Sequence, residues 1–165
     1  MEKTFFSSEY ALRIHGSSGG EPPAIDLALE KRVHDCCLEL IRRGWVLAAH
    51  DISDGGLLVT VAEGCFASLG TVGAELTIES PLPLEAACFG EEPSRIVLEV
   101  DPTHLADLLQ LAAQYNLAAE QIGTTTQSEF RVQFNGQAVL NEDVNILKKA
   151  WATSLARRMR GEEVA

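Results

Sequence analysis

The 165-residue sequence has little positive charge: 13 Lys and Arg residues stand against 24 Asp and Glu residues, which gives a net charge of −11. Such a chain lacks the basic surface that releases counterions from a phosphate backbone, so we predict no nucleic-acid partner. It also has no run of about 18 apolar residues that could cross a bilayer, and no N-terminal signal or transit peptide. We therefore expect no membrane association and a cytoplasmic location.

Cysteine is also scarce, and its spacing does not suit a metal site. The four cysteines are Cys36, Cys37, Cys65 and Cys88. They form no C-x-x-C motif, so no zinc site is predicted, and we assign no metal ligand in the chain. Cys36, Cys65 and Cys88 lie among apolar residues. We interpret them as buried, reduced thiols that act as small hydrophobic side chains, which fits a reducing compartment.

The length and the apolar content are typical of one globular domain. Hydrophobic residues make up 46% of the chain, and 165 residues can bury a core without disulfides or metals. We assign residues 1–25 to an N-terminal segment and loop, residues 26–160 to the domain and residues 161–165 to a tail.

Hydrophobic periodicity predicts alternating helices and strands. The predicted helices cover residues 26–43, 56–68, 84–89, 103–115 and 143–159, after a short helix or turn at 8–14. The predicted strands cover residues 46–50, 73–79, 96–100, 117–124, 130–134 and 137–140, with a hairpin turn at Asn135–Gly136. This order predicts an α/β sandwich, with a mixed sheet that contains a ferredoxin-like split βαβ unit and is covered by helices.

Two elements carry specific expectations about burial. The apolar run that ends at His50 is predicted to be a buried core strand. The last helix is predicted to turn four side chains inward, namely Val144, Leu147, Trp151 and Leu155.

A polar turn, Asp51–Gly56, joins the first strand to a helix. The first turn of a helix has N–H groups without an intrahelical partner and a partial positive charge, so such a junction can accept an anion such as phosphate. The spacing is neither that of a Walker motif nor that of a dinucleotide-binding motif. From spacing alone, an ordinary helix cap at Ser53 or Asp54 followed by a tight turn is the preferred interpretation.

A second polar turn, Gly90–Arg95, leads into the strand at 96–100. Arg95 stands alone beside this apolar strand, which makes its guanidinium the best candidate to face a phosphate. If the strand at 96–100 runs antiparallel to the strand at 46–50, both turns lie at one edge of the sheet. We therefore expect the two turns to face one ligand or one partner domain.

His50 permits two interpretations. It lies at a strand end beside Asp51, which could orient it as a general base. We prefer a structural histidine and keep the supporting role as the alternative.

The two turns closely resemble those of a known family. The residues at 49–57 and 89–95, together with His15–Gly16 and the segment at 22–27, are similar to the last synthetase-type domain of the phosphoribosylformylglycinamidine synthases. These are also called formylglycinamide ribonucleotide amidotransferases and act in de novo purine biosynthesis. The resemblance covers nearly the whole chain and implies the fold of an AIR synthase C-terminal domain.

The resemblance also implies a reaction and its cofactors. Enzymes of this family use ATP to activate the formamide oxygen of formylglycinamide ribonucleotide, and ammonia from glutamine then displaces phosphate. ATP or ADP and Mg²⁺ would be bound mainly by other domains. The implied partners are the N-terminal AIR synthase-like ATP-binding domains of the same enzyme and a glutaminase component. We assign no catalytic residue in this chain, and we expect the domain alone to be inactive.

The resemblance implies a nucleotide- or phosphate-facing surface at the two turns. Its residues would be Asp51, Ser53, Asp54, Gly55, Gly56, Glu91, Ser94 and Arg95. The ligand there could be a structural nucleotide or the substrate. The alternative function is a non-catalytic docking module of a related ATP-dependent synthase, and self-association of the isolated domain remains open. Met1 directly before this domain suggests an expressed fragment, although a separately encoded subunit would look the same.

Overall fold

The structure is a computed structural model that describes residues 5–17, 19–67 and 72–162. The α-helices are α1 (Glu9–His15), α2 (Leu27–Arg42), α3 (Gly56–Ala67), α4 (Leu84–Phe89), α5 (Leu105–Gln114) and α6 (Val144–Met159). The strands are β1 (Val46–Asp51), β2 (Gly73–Ile78), β3 (Ile96–Val100), β4 (Gly123–Thr126), β5 (Glu129–Phe134) and β6 (Gln137–Asp143). A short 3-10 helix, Pro102–His104, precedes α5. None of the helices in the described ranges is long and apolar enough to cross a membrane.

The chain separates into two compact units. The first contains the described residues of Met1–Val61 and Pro81–Gln121, and the second contains those of Ala62–Ser80 and Ile122–Ala165. The sequence-based domain boundaries at 26 and 160 remain predictions.

The first unit is built on a two-stranded antiparallel sheet, β1–β3. Asp51 lies opposite Ile96, and His50 lies opposite Val97. The antiparallel direction agrees with the sequence-based expectation, and it places the end of β1 beside the start of β3. The turn after β1 and the turn before β3 therefore meet at one edge of this sheet.

The core of the first unit lies between α2 and α5. Its buried side chains are Cys36, Leu40, Leu108, Leu111 and Ala112, and partly buried residues of β1 and β3 pack against them. Asp26 caps α2, since its carboxylate accepts hydrogen bonds from the N–H groups of Ala28 and Leu29 at 2.9 and 3.1 Å.

The expectation that β1 is a buried strand is wrong. Leu47 is 64% exposed, and Ala48 and Ala49 are exposed as well. In a two-stranded sheet only one face packs on the core, here through Val46 and its neighbours on β3. Within the described residues, the other face is not covered. The apolar run thus predicts the strand correctly, but it does not indicate how many faces of the strand are covered.

The second unit contains a four-stranded mixed sheet in the order β4–β2–β5–β6. β2 runs parallel to β5, and the other two pairs are antiparallel. Phe130 and Val132 of β5 are each 1% exposed and occupy its core. The predicted hairpin between β5 and β6 is confirmed, with positive φ angles of 48° at Asn135 and 75° at Gly136.

The expected inward face of α6 is only partly correct. Val144 is 1% exposed, but Trp151 is 54% exposed and Leu155 is 71% exposed, so these two residues were placed wrongly. The Trp151 ring still packs against Phe66, with 5.7 Å between centroids, and its Nε1–H donates to Glu63 at 3.1 Å. Helical periodicity identifies a shared face, but it does not show how far along the helix a covering surface extends.

The mixed α/β class is confirmed, with a division that the sequence did not indicate. The strands assigned to one split unit fall in two hydrogen-bonded sheets, since β1 pairs with β3 whereas β2 pairs with β4 and β5. The strand predicted at 117–124 begins only at Gly123. The predicted end of α3 at residue 68 and the last residues of the tail lie outside the described residues.

Candidate functional site: the paired turns

The turn after β1 has a backbone that favours glycine. Gly55 and Gly56 have φ angles of +86° and +70°, in the left-handed region. A Cβ atom on Gly56 would lie 2.6 Å from the Cα and carbonyl carbon of Phe89, so a side chain does not fit there. The N–H of Gly56 donates to the carbonyl of Ser53 at 3.0 Å and closes the turn. This turn is thus packed directly against the backbone at the end of α4.

The turn before β3 continues the β1–β3 pairing and carries its own positive φ. The N–H of Ile52 donates to the carbonyl of Arg95 at 2.9 Å. Ser94 has a φ of +64°, which is unusual for a residue with a side chain. Its hydroxyl donates to Oε1 of Glu30 on α2 at 2.8 Å. These contacts hold the second turn against both the first turn and α2.

Glu91 connects the two turns directly. Its Oε1 accepts a hydrogen bond from the N–H of Gly55 at 2.7 Å and another from the N–H of Glu9 at 2.9 Å. Glu9 begins α1, whose Tyr10 stacks on Phe89 with 4.2 Å between ring centroids. One carboxylate oxygen therefore contacts both the first turn and the start of α1.

The side chains of the first turn that were predicted to face a ligand are exposed. The Asp51 side chain is 77% exposed, and Ser53 and Asp54 are also exposed. The N–H groups of Gly55 and Gly56, by contrast, already bind acceptors within the chain. The exposed side chains of this turn thus offer carboxylate and hydroxyl oxygens, and its two glycine N–H groups are occupied within the chain.

Arg95 is partly buried among carboxylates. Burial lowers the pKa of its guanidinium, whereas the negative charges of Glu92 and Glu120 oppose that shift by favouring the charged form. Because an arginine pKa lies far above neutrality, Arg95 is a cation at pH 7. It supplies the positive charge next to an otherwise acidic pair of turns.

The AIR synthase related protein, C-terminal domain, is a family whose pattern matches residues 3–135 of this chain. The chain belongs to this family. The match covers α1, both turns and the strands of the first unit, and it ends at the β5–β6 hairpin. The AIR synthase-related C-terminal domain thus includes all eight residues predicted for the nucleotide-facing surface.

Curated relatives of this AIR synthase-related domain are much longer proteins. The phosphoribosylformylglycinamidine synthase subunit PurL of Alkaliphilus metalliredigens is 36% identical over 157 residues, which are 95% of this chain and 21% of the relative. PurL of Thermomicrobium roseum is 38% identical over 156 residues, which are 92% of this chain and 20% of the relative. The chain therefore spans about a fifth of the length of these relatives.

Solved structures of Thermotoga maritima PurL share the fold of this domain. The structure described as PurL complexed with FGAR has a TM-score of 0.71 and 21% identity, and the match covers 84% of this chain and 24% of that one. The structure described as PurL complexed with ATP has a TM-score of 0.65 and 21% identity, and the match covers 72% of this chain and 21% of that one. At this level of identity the likeness concerns the fold.

His50 of the domain contacts the backbone. Its Nδ1 lies 2.6 Å from the carbonyl oxygen of Asp51, to which a protonated Nδ1 donates, and 3.9 Å from Oδ1 of the same residue. The carbonyl contact favours the structural interpretation. The role as a general base remains the untested alternative.

The described part of the domain contains no group of three His, Cys, Asp or Glu residues that could hold a metal ion. The acidic side chains of the turns therefore do not fit a complete Mg²⁺ site, for which further ligands from phosphate, water or another domain are needed. Sequence reasoning missed Glu9 as the second partner of Glu91. It also missed Glu30 as the partner of Ser94, because a hydrogen bond between residues 64 positions apart leaves no local pattern.

Proposed function

We propose that this domain works as the C-terminal domain of a phosphoribosylformylglycinamidine synthase and that its paired turns form one wall of a nucleotide site. In the whole enzyme, ATP would activate the formamide oxygen and ammonia from glutamine would displace phosphate. The observation that carries the proposal is the contact between the two motif turns, in a chain similar to PurL over 92–95% of its length.

The side chains proposed to face the ligand are Asp51, Ser53, Asp54 and Arg95. The first three are exposed on the turn after β1, and Arg95 is the partly buried cation of the second turn. Gly55, Gly56, Glu91 and Ser94 belong to the same surface, and their hydrogen bonds within the chain suit them to shape it.

The charge of the turns predicts how a nucleotide would bind. Asp51 and Asp54 repel a free polyphosphate, but each can contact Mg²⁺ that is already bound to phosphate oxygens, directly or through water. Since this domain lacks a complete metal site in the described residues, we propose that Mg²⁺ is held mainly by the N-terminal AIR synthase-like domains of the whole enzyme. The solved relatives described as complexes with ATP, ADP and AMPPCP support nucleotide binding in such an enzyme.

We extend the proposal to the partners. The domain would work with the ATP-binding domains of its own enzyme and with a glutaminase component that supplies ammonia. A relative described as PurLQS from Thermotoga maritima supports a multi-subunit assembly for this family.

A chimera tests this function. The matching segment of Thermomicrobium roseum PurL is replaced by this chain, and glutamine-dependent ADP release with formylglycinamide ribonucleotide is measured. We expect an active chimera, with activity reduced at least tenfold by Asp51→Asn combined with Asp54→Asn. The matched control is Glu99→Gln, which removes a charge from an exposed position on β3. A folded, assembled chimera without activity would contradict the proposal.

The second candidate is a docking module, and one observation favours it. The N–H groups of both turn glycines bind acceptors within the chain, so the turn does not offer these two donors to an anion. Calorimetric titration of the active chimera with ATP or ADP, with and without Mg²⁺, distinguishes the two candidate functions. Asp51→Asn and Asp54→Asn weaken Mg-ATP binding if the turns face the nucleotide, and they leave it unchanged if the turns only dock a neighbouring domain.

A further inference from the structure

The carboxylate of Glu91 lies where three segments of the first unit meet. Its Oε1 accepts from the N–H of Gly55, 36 residues away, and from the N–H of Glu9, 82 residues away. Hydrogen bonds to an ionised acceptor are about twice as strong as those between neutral groups. The contact is partly buried, which reduces competition from water.

The first turn is anchored at two points, and the second turn provides both. Before the exposed residues Ser53 and Asp54, the N–H of Ile52 donates to the carbonyl of Arg95. After them, the N–H of Gly55 donates to Glu91. Ser53 and Asp54 are thus held between a hydrogen bond to a backbone carbonyl on one side and a hydrogen bond to the Glu91 side chain on the other.

We propose that Glu91 is a positioning residue that fixes the first turn and the start of α1, and that it does not contact the nucleotide. The oxygen that binds the Gly55 N–H takes the place that a phosphate oxygen would need at this donor. Glu91 therefore acts on the ligand only through the placement of Asp51, Ser53 and Asp54. This last step rests on the proposed function, whereas the anchoring of the turn does not.

The close approach of Gly56 to the Phe89 backbone does not replace the hydrogen bond between the Gly55 N–H and Glu91. It limits the distance between the turn and Phe89, but van der Waals contact does not set the direction of the Gly55 N–H. A hydrogen bond with a defined acceptor does, because its strength falls steeply with the donor angle.

Two substitutions distinguish the effect of the length of the Glu91 side chain from the effect of its charge. Glu91→Gln keeps an acceptor oxygen at the same distance from the backbone and removes the charge. Glu91→Asp keeps the charge and shortens the side chain by about 1.5 Å, which breaks contacts of this length. A residue needed for its charge toward a ligand tolerates Asp better, and a residue that anchors the turn tolerates Gln better.

The test is amide hydrogen exchange measured by NMR on the 165-residue chain. In Glu91→Asp, the N–H groups of Gly55 and Glu9 should both exchange about 10- to 100-fold faster than in the unsubstituted chain. In Glu91→Gln, both should exchange more slowly than in Glu91→Asp, at less than about tenfold above the unsubstituted rate. The Ser80 N–H, which donates to Asn135 in the second unit, serves as an internal reference. Glu99→Asp and Glu99→Gln are the control substitutions.

The two amides are expected to respond together because they share one acceptor atom. Unchanged exchange at Gly55 and Glu9 in Glu91→Asp would overturn the proposal, and so would better protection in Glu91→Asp than in Glu91→Gln. These outcomes do not depend on whether the chain binds a nucleotide. Mg-ATP calorimetry on the chimera then tests the link to the ligand: affinity should fall with Glu91→Asp and recover with Glu91→Gln.

Discussion

Two turns of this protein share a backbone handedness but differ in what holds them. Gly55 and Gly56 have φ angles of +86° and +70°, and Asn135 and Gly136 have +48° and +75°. A Cβ on Gly56 would meet the Phe89 backbone at 2.6 Å, whereas a Cβ on Gly136 would meet nothing within 4 Å. The first turn is therefore fixed by a distant segment as well as by its backbone angles. The same type of sequence signal can mark an ordinary hairpin or a packed junction.

The largest expected effect is a loss of stability in Gly56→Ala. The new methyl group clashes with the Phe89 backbone and occupies a left-handed position, which together destabilise by about 2 to 5 kcal/mol. Gly136→Ala has only the backbone cost, about 1 to 2 kcal/mol. Urea unfolding followed by circular dichroism measures both variants. Equal losses of stability would show that the two turns do not differ in this way.

The thiol of Cys88 provides a probe of the contact between Gly56 and the end of α4. Cys88 is fully buried, and burial raises the pKa of its thiol from 9.0 to about 11. At pH 8 its thiolate fraction is about 100-fold lower than that of an ordinary cysteine, so alkylation should be slower by at least that factor. Mass spectrometry of labelled peptides gives the rate.

The raised pKa of Cys88 also predicts a pH dependence of stability. The folded protein favours the neutral thiol, so this stabilisation is complete below pH 9 and is lost as the pH rises through about 11.

The Cys88 carbonyl oxygen would lie 3.0 Å from a Cβ on Gly56. Gly56→Ala should therefore speed alkylation of Cys88, whereas Gly136→Ala should not. If both substitutions had the same effect, Cys88 would report overall unfolding and not this junction.

The β5–β6 hairpin turn is held by the side chain of Asn135, whereas Gly56 in the turn after β1 is held by close contact with the Phe89 backbone. Asn135 accepts from the Ser80 N–H and donates to the Ser80 carbonyl, both at 2.9 Å. Asn135→Ala removes these bonds and places alanine at a positive φ, so we expect a loss of about 2 kcal/mol. Asn135→Gly removes the same bonds without the backbone cost and should lose about half as much. Thermal unfolding compares the two variants, and a larger loss for glycine would contradict this account.

Local signals in the sequence predicted local structure well. The predicted helices at 26–43 and 143–159 are confirmed at their starts, where Asp26 and Asp143 each accept a backbone hydrogen bond from the first turn. Asn135–Gly136 predicts the hairpin turn, and the antiparallel pairing of β5 with β6 confirms it. These features depend on a few neighbouring residues, whose chemistry is visible in the sequence.

Features that depend on distant segments were not predictable in the same way. The antiparallel pairing of β1 and β3 suggested that the two turns meet, but the partners of Glu91 could not be read from any spacing. The exposure of Leu47 and Leu155 was also missed, because hydrophobic periodicity describes a face and not the surface that covers it. The family resemblance indicates two turns that meet in the structure, and their ligand contacts stay predictions.

The smallest expected effect concerns Ser94 and Glu30, which join the second turn to α2. Their hydrogen bond is partly buried, and the Glu30 side chain is 18% exposed. A double-mutant cycle with Ser94→Ala and Glu30→Ala should give a coupling energy of about 1 kcal/mol.

The exposed pair Lys31–Asp35 on the same helix is the matched comparison. Its side chains are 74% and 44% exposed, so water and salt screen their attraction, and a cycle with Lys31→Ala and Asp35→Ala should give only a few tenths of a kcal/mol. Raising the salt concentration should reduce this second coupling and leave the Ser94–Glu30 coupling nearly unchanged, since a hydrogen bond from a neutral hydroxyl is less sensitive to screening. If the exposed pair showed the larger coupling, the second turn would not be held by its contact with α2, and its position would depend on Glu91 and the strand pairing alone.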